Sequence, residues 1–152
     1  LGIAEYHGPR SQMMRCIDHP TMLKDGSGWG AMAGISAALL ARADFTGAPA
    51  LTVESDEVNA IWQDLDRSWH ITRQYFKPHA VCRWAQPAME AALKLQQTHK
   101  ISPANVKRIA VSSFHEAVRL NCRSPQSTEE AQYSLPFPLA AALVHGRWVL
   151  RS

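Results

Sequence analysis

Apolar residues follow a helical period in several stretches of the chain and alternate in two others. From Gly28 to Ala43, Trp29, Met32, Ile35, Leu39 and Leu40 fall at helical spacing, and Phe45-Thr46-Gly47-Ala48-Pro49 ends the element. Ser55 or Asp56 is expected to cap a second helix whose buried face is Val58, Ile61, Trp62 and Leu65. Pro87 to about Thr98 reads as a helix buried through Met89, Ala92, Leu93 and Leu95 or Gln96, with Pro87 in the first turn, where its missing N–H costs nothing. Helical character returns at Thr128–Tyr133 and at Leu139–His145, the latter stopped by Gly146. Between these lie two strand-like runs. Trp69, Ile71 and Tyr75 alternate with His70, Thr72 and Gln74, and Val106–Phe114 continues the pattern through Ile109 and Val111. Leu1–Asp25 and Asn121–Ser127 are expected to be irregular.

The pattern predicts an α+β architecture, with part of an all-helical domain interrupted by a small α+β lid. The helical part spans 1–66, the lid 67–125, and the chain returns to the helical domain over 126–152. With 152 residues, 46% of them hydrophobic and 19% charged, the composition is that of a folded globular chain with a real core. The first residue is Leu1, and the last residues run through the apolar Trp148-Val149-Leu150, so both ends read as cut from a longer protein.

A net charge of +3 is too mild for nucleic acid, which calls for a concentrated basic stripe. No apolar run approaches the roughly 18–20 residues that span a bilayer, and no basic stretch followed by an apolar one marks a signal peptide. Three cysteines at irregular spacing do not make a disulfide framework, so a reducing cytoplasm is the expected location.

Candidate chemistry gathers in Tyr75–Pro87, where Lys77, His79 and Arg83 stand just ahead of a helix start. Free N–H groups at such a start favour an anion. An arginine can hold a carboxylate through two parallel hydrogen bonds, and a lysine acts as a point charge or proton carrier. A solvated basic loop fits the same spacing equally well. Lys24 likewise precedes a helix. Lysines become useful acids or bases near neutral pH when burial or neighbouring cations lower their pKa. Two of them with an arginine would suit a di- or tricarboxylate, holding its carboxylates and stabilising the enolate-like charge formed beside one.

Other motifs carry less. Gly26-x-Gly28-x-Gly30 lacks the preceding strand of a nucleotide-binding loop, and glycines at 26, 30 and 34 read instead as close helix packing. Cys16/His19 and His79/Cys82 have ligand-like spacing for zinc, but Lys77 and Arg83 beside the second pair would repel a cation, so no metal is expected. No Gly-x-Ser-x-Gly occurs, and His115-Glu116 lacks a second histidine at metalloprotease spacing.

Three blocks together resemble the MmgE/PrpD family, which includes 2-methylcitrate dehydratase, cis-aconitate decarboxylase and iminodisuccinate epimerase. They are Lys24-Asp-Gly-Ser-Gly28-Trp29-Gly30-Ala-Met-Ala-Gly34 continuing to Phe45-Thr46-Gly47; Phe76-Lys77-Pro78 through Cys82 to Pro87-Ala88 and Ala91-Ala92-Leu93; and Glu130-Ala131-Gln132-Tyr133-Ser134-Leu135-Pro136-Phe137 followed by Ala140–Leu143 and Gly146. The resemblance implies a helical domain with an α+β lid, a homodimer, no organic cofactor, and elimination, decarboxylation or epimerisation of a small polycarboxylate. It carries the family's active-site lysines onto Lys24 and Lys77, with Arg83, His79 and Gln86 as substrate-binding candidates. The sequence departs from the family pattern at Phe137, where many members have tyrosine, and at Gln86, where many have histidine. Both changes weigh against dehydration, which needs an acid for the leaving hydroxide. The other expectation is a non-catalytic member that serves as a binding or dimerisation unit.

Overall fold

The computed structural model describes residues 1–10 and 12–146, and the apolar run at 148–150 lies outside them. The helices are α1 (Gly2–His7), α2 (Met13–Asp18), α3 (Ser27–Arg42), α4 (Leu51–Glu54), α5 (Gln86–His99), α6 (His115–Val118), α7 (Thr128–Gln132) and α8 (Pro136–His145), with short 3-10 turns between some of them. The chain divides into two compact units. One combines Leu1–Gln12 with Asp25–Tyr75, the other Met13–Lys24 with Phe76–Ser152.

The second unit holds the main core. Met89 of α5 is completely buried, among Val81, Ala85, Leu120, Leu135 and the α8 residues Leu139, Ala142 and Leu143, with Ile17 of α2 joining from the other side. Pro87 sits in the first turn of α5, as its fixed φ favours. Ala92, Leu93 and Gln96 are half-buried, while Leu95 is exposed. Gln96 reaches across to α8 and donates to the Leu143 carbonyl at 2.8 Å, satisfying a carbonyl near the helix end. The start of α8 is held by Ser134, whose hydroxyl accepts the Phe137 N–H at 3.1 Å and donates to the Cys122 carbonyl. Gly146 ends α8 at φ 70, the left-handed geometry that glycine adopts without penalty. An ion pair between Arg119 and Asp18 ties α2 to the segment after α6.

Helix α5 ends on Lys100, at φ 51 and ψ 42. A side chain in this left-handed geometry costs roughly 1–2 kcal/mol, most of which glycine avoids. Lys100→Gly should therefore raise stability by about 1 kcal/mol, read as a higher urea midpoint with an unchanged slope.

The first unit is thinner. Its α1 packs on α3, burying Ile3 and Ala37. Gly2 permits a very close approach, since a Cβ there would overlap the Ala48 carbonyl oxygen. Glu5 accepts the Thr52 N–H at 2.9 Å, filling one of the unmatched donors at the start of α4. That backbone hydrogen bond holds the Glu5 carboxyl below its ordinary pKa.

The α+β expectation fails: among the described residues there is no strand, so the 67–125 region is not an α+β lid. Trp69–Phe76 contains a 3-10 turn at His70–Arg73, and Trp69, Ile71 and Tyr75 are exposed. Residues 106–114 form no ladder, although their flanking residues Val106 and Phe114 have extended backbone angles. Alternation prepares a chain for a sheet, but a strand also needs a neighbour to accept and donate its hydrogen bonds.

The helix expected after Ser55 is also replaced. Ser55 ends α4, a 3-10 turn covers Asn59–Trp62, and Ile61, Trp62 and Leu65 stay exposed. A short amphipathic helix draws its stability from packing of its apolar face, and that face is uncovered here. Leu1–Asp25, expected to be irregular, instead contains α1 and α2. Close packing at the spaced glycines is not seen at two of the three: among the described residues nothing lies within 4 Å of a Cβ placed at Gly30 or Gly34.

Candidate functional site

The site residues named from sequence, Lys24, Lys77, His79, Arg83 and Gln86, all lie in the second unit. Lys24 follows α2 and is exposed. Its Nζ donates to Gln132 Oε1 at 3.2 Å and stands 4.9 Å from the centre of the Tyr133 ring. The ring face attracts the ammonium, worth about 0.5–1 kcal/mol at an exposed position. Lys77 is exposed too, and its Nζ donates to the Val81 carbonyl at 3.0 Å.

A short chain of hydrogen bonds links the two lysines. Lys24 holds the Gln132 side chain, the Gln132 carbonyl accepts the Cys82 N–H at 2.8 Å, and the neighbouring Val81 carbonyl accepts from Lys77. Both ammonium groups are thus tied to the place where the 79–82 turn meets the end of α7. Arg83, in the 3-10 turn before α5, is exposed and already has an interaction within the chain. It lines an open groove of about 780 Å³ between α5 and residues 109–114, where Trp84 and Phe114 meet edge to face at 5.2 Å.

His79 and Gln86 have a different character. His79 is 7% exposed and Gln86 is 5% exposed. The His79 ring reaches Glu90, with Nε2 2.6 Å from Oε1. Gln86 Oε1 accepts the His79 N–H at 3.1 Å, and Nε2 donates to the carbonyls of His79 at 2.8 Å and Val81 at 3.1 Å. A glutamine amide has two donor hydrogens, and both are used here.

Sequence reasoning did not single out Gln132, Tyr133 or Glu90 as site residues. Gln132 and Tyr133 stood inside the third family-like block. Glu90 lies four residues after Gln86 on α5, and that spacing puts both on one helix face. The two Cys/His pairs are not assembled, as no group of three or more His, Cys, Asp or Glu is placed to hold a metal among the described residues. Nor is any helix among them long and apolar enough to cross a membrane.

The match to known proteins falls on this unit. Residues 79–152, just under half of the chain, match the family model described as the MmgE/PrpD C-terminal domain, which supports the MmgE/PrpD family for this chain. That family consists broadly of dehydratases and other lyases. The matched segment begins at His79, so it contains His79, Arg83 and Gln86, while Lys24 and Lys77 precede it. No curated protein and no solved structure gives a significant match.

Proposed function

We propose that the protein is a lyase or isomerase acting on a small di- or tricarboxylate, with Lys24 and Lys77 as its central charged groups. The observation that carries this reading is the coupling of the two lysines through Gln132 and the Val81–Cys82 turn. Two cations tied by hydrogen bonds to one turn would suit a ligand with more than one carboxylate. Charge-assisted hydrogen bonds of this kind are roughly twice as strong as neutral ones. Elimination, decarboxylation and epimerisation of such acids share one need, which is stabilising negative charge on the carbon beside a carboxylate. A fixed ammonium does this without reorganising during the reaction.

In this reading Lys24 and Lys77 bind the carboxylates or move the proton, and Arg83 holds a further carboxylate at the edge of the groove. The family's lyase character supports the reaction class. A homodimer is part of the same proposal. The exposed stripe Trp29, Met32, Ile35 and Leu39 along α3 supports it, since water-facing apolar surface of this kind favours association.

Calorimetric titration tests the binding half. Citrate added to the intact protein should show saturable binding that weakens as salt is raised. Lys24→Ala should weaken it about ten- to a hundredfold, the effect of losing a hydrogen bond to a charged group worth about 1.5–3 kcal/mol. If citrate, malate and aconitate all give no binding to the wild type, the reading fails. Citrate binding with no turnover of any polycarboxylate would favour the non-catalytic alternative.

A further inference from the structure

We propose that Gln86 is a positioning residue, whose side-chain amide locks the His79–Cys82 turn and so sets where the Lys77 ammonium stands. The inference rests on the reading of Lys77 as a site residue. Gln86 is the first residue of α5, rooted in the helix that carries Met89 into the core. From that anchor its amide makes three hydrogen bonds to the backbone of the turn, one accepted from the His79 N–H and one donated to each of the His79 and Val81 carbonyls. The Val81 N–H also bonds to the His79 carbonyl, at 2.9 Å, which closes the turn on itself.

One turn further along α5, Glu90 holds the buried His79 ring, so the same helix face grips this segment twice. The Val81 carbonyl is the shared element. It accepts from Gln86 Nε2 on one side and from Lys77 Nζ on the other. Fixing that oxygen fixes the acceptor that holds the lysine. The amide is buried and both donor hydrogens are occupied, so Gln86 acts on a ligand through Lys77 and not by touching it.

Two variants of the intact protein separate this role from general stability. Gln86→Met keeps the size of the side chain and loses all three hydrogen bonds. Gln86→Glu keeps the acceptor for the His79 N–H and, ionised, loses both donors. The His79 amide should exchange with solvent about tenfold faster or more in Gln86→Met and much less so in Gln86→Glu, because exchange reports local opening. In both variants Lys77 should change its acylation rate by acetic anhydride several-fold relative to Lys94 and Lys100. Citrate affinity should fall about tenfold or more in both, measured well below each variant's midpoint of thermal unfolding, which falls because the buried hydrogen bonds to the turn are lost.

Acylation of Lys77 at the wild-type rate in both variants would overturn the inference. So would wild-type citrate affinity in both. If the wild-type protein binds no citrate, the proposed function falls, and the acylation rate of Lys77 still decides whether Gln86 positions it. If Gln86→Met fails to fold, Gln86→Glu decides alone.

Discussion

Met89→Ala should destabilise the protein by about 2–5 kcal/mol, the range for truncating a fully buried large side chain. Met89 has no exposed surface and lies between α5 and α8 at the centre of the core. Its neighbours Val81, Ala85, Leu139, Ala142 and Leu143 come from the turn, the start of α5 and α8, so the vacated space is bounded on several sides. Surroundings of that kind relax only in part and leave a cavity. Leu95→Ala supplies the contrast on the same helix, because Leu95 is 55% exposed and its loss should cost no more than about 0.5 kcal/mol. Urea unfolding measures both. A Met89→Ala midpoint equal to that of Leu95→Ala would show that this core is not what holds α5 and α8 together.

Lys77→Ala should lower the turnover of a polycarboxylate by about a hundredfold or more while leaving the melting temperature within a few degrees of wild type. Removing one preorganised donor from a site that stabilises developing negative charge costs roughly 10²–10³ in rate. The stability cost should be small, because Lys77 is exposed and its one hydrogen bond, to the Val81 carbonyl, leaves that oxygen still bonded to Gln86. Lys77→Arg keeps a cation but cannot serve as a neutral amine. If it restores binding without turnover, Lys77 moves a proton. If it restores both, Lys77 supplies charge alone.

The helices with local signals were legible in the sequence. The spacing predicts a helix over 28–43 and α3 spans Ser27–Arg42; Pro87 marks the first turn of α5, and Gly146 the end of α8. Each of these signals acts within a turn or two of chain. The predicted strands are not formed, and the partners a strand needs are not a local property of the sequence. Val106–Phe114 carries the alternation of a sheet but has no ladder to join among the described residues. The face Val58, Ile61, Trp62 and Leu65 has the spacing of a helix, yet a period states only which residues would share a face if something covered it. Gly30 and Gly34 of α3 likewise have nothing among the described residues packed on them, because their spacing does not specify a neighbour.

At the candidate site, the basic corner ahead of α5 was legible as a cluster of charge but not as two kinds of residue. Lys77 and Arg83 are exposed, whereas His79 turns inward to Glu90. Histidine is compatible with either fate, and the i, i+4 spacing of Gln86 and Glu90 was the available hint of what would receive it. Residues Lys24 and Gln132 are separated by 108 positions, and only the folded chain shows that they meet. The departure at Gln86 also takes on a different meaning. The sequence offers Gln86 as a ligand contact, whereas its amide is committed to the His79–Cys82 turn, whose Val81 carbonyl holds Lys77.

In the proposed function, Lys77 belongs to a site that forms and stabilises negative charge beside a carboxylate. Proton NMR of small polycarboxylates incubated with the intact protein in D2O tests it most directly. At least one acid of the citrate, malate, aconitate or aspartate type should exchange deuterium at the carbon next to a carboxylate, or be converted, at a rate that falls about a hundredfold or more in Lys77→Ala. Wild-type rates in a folded Lys77→Ala protein, or no exchange or conversion of any such acid by the wild type, would contradict it.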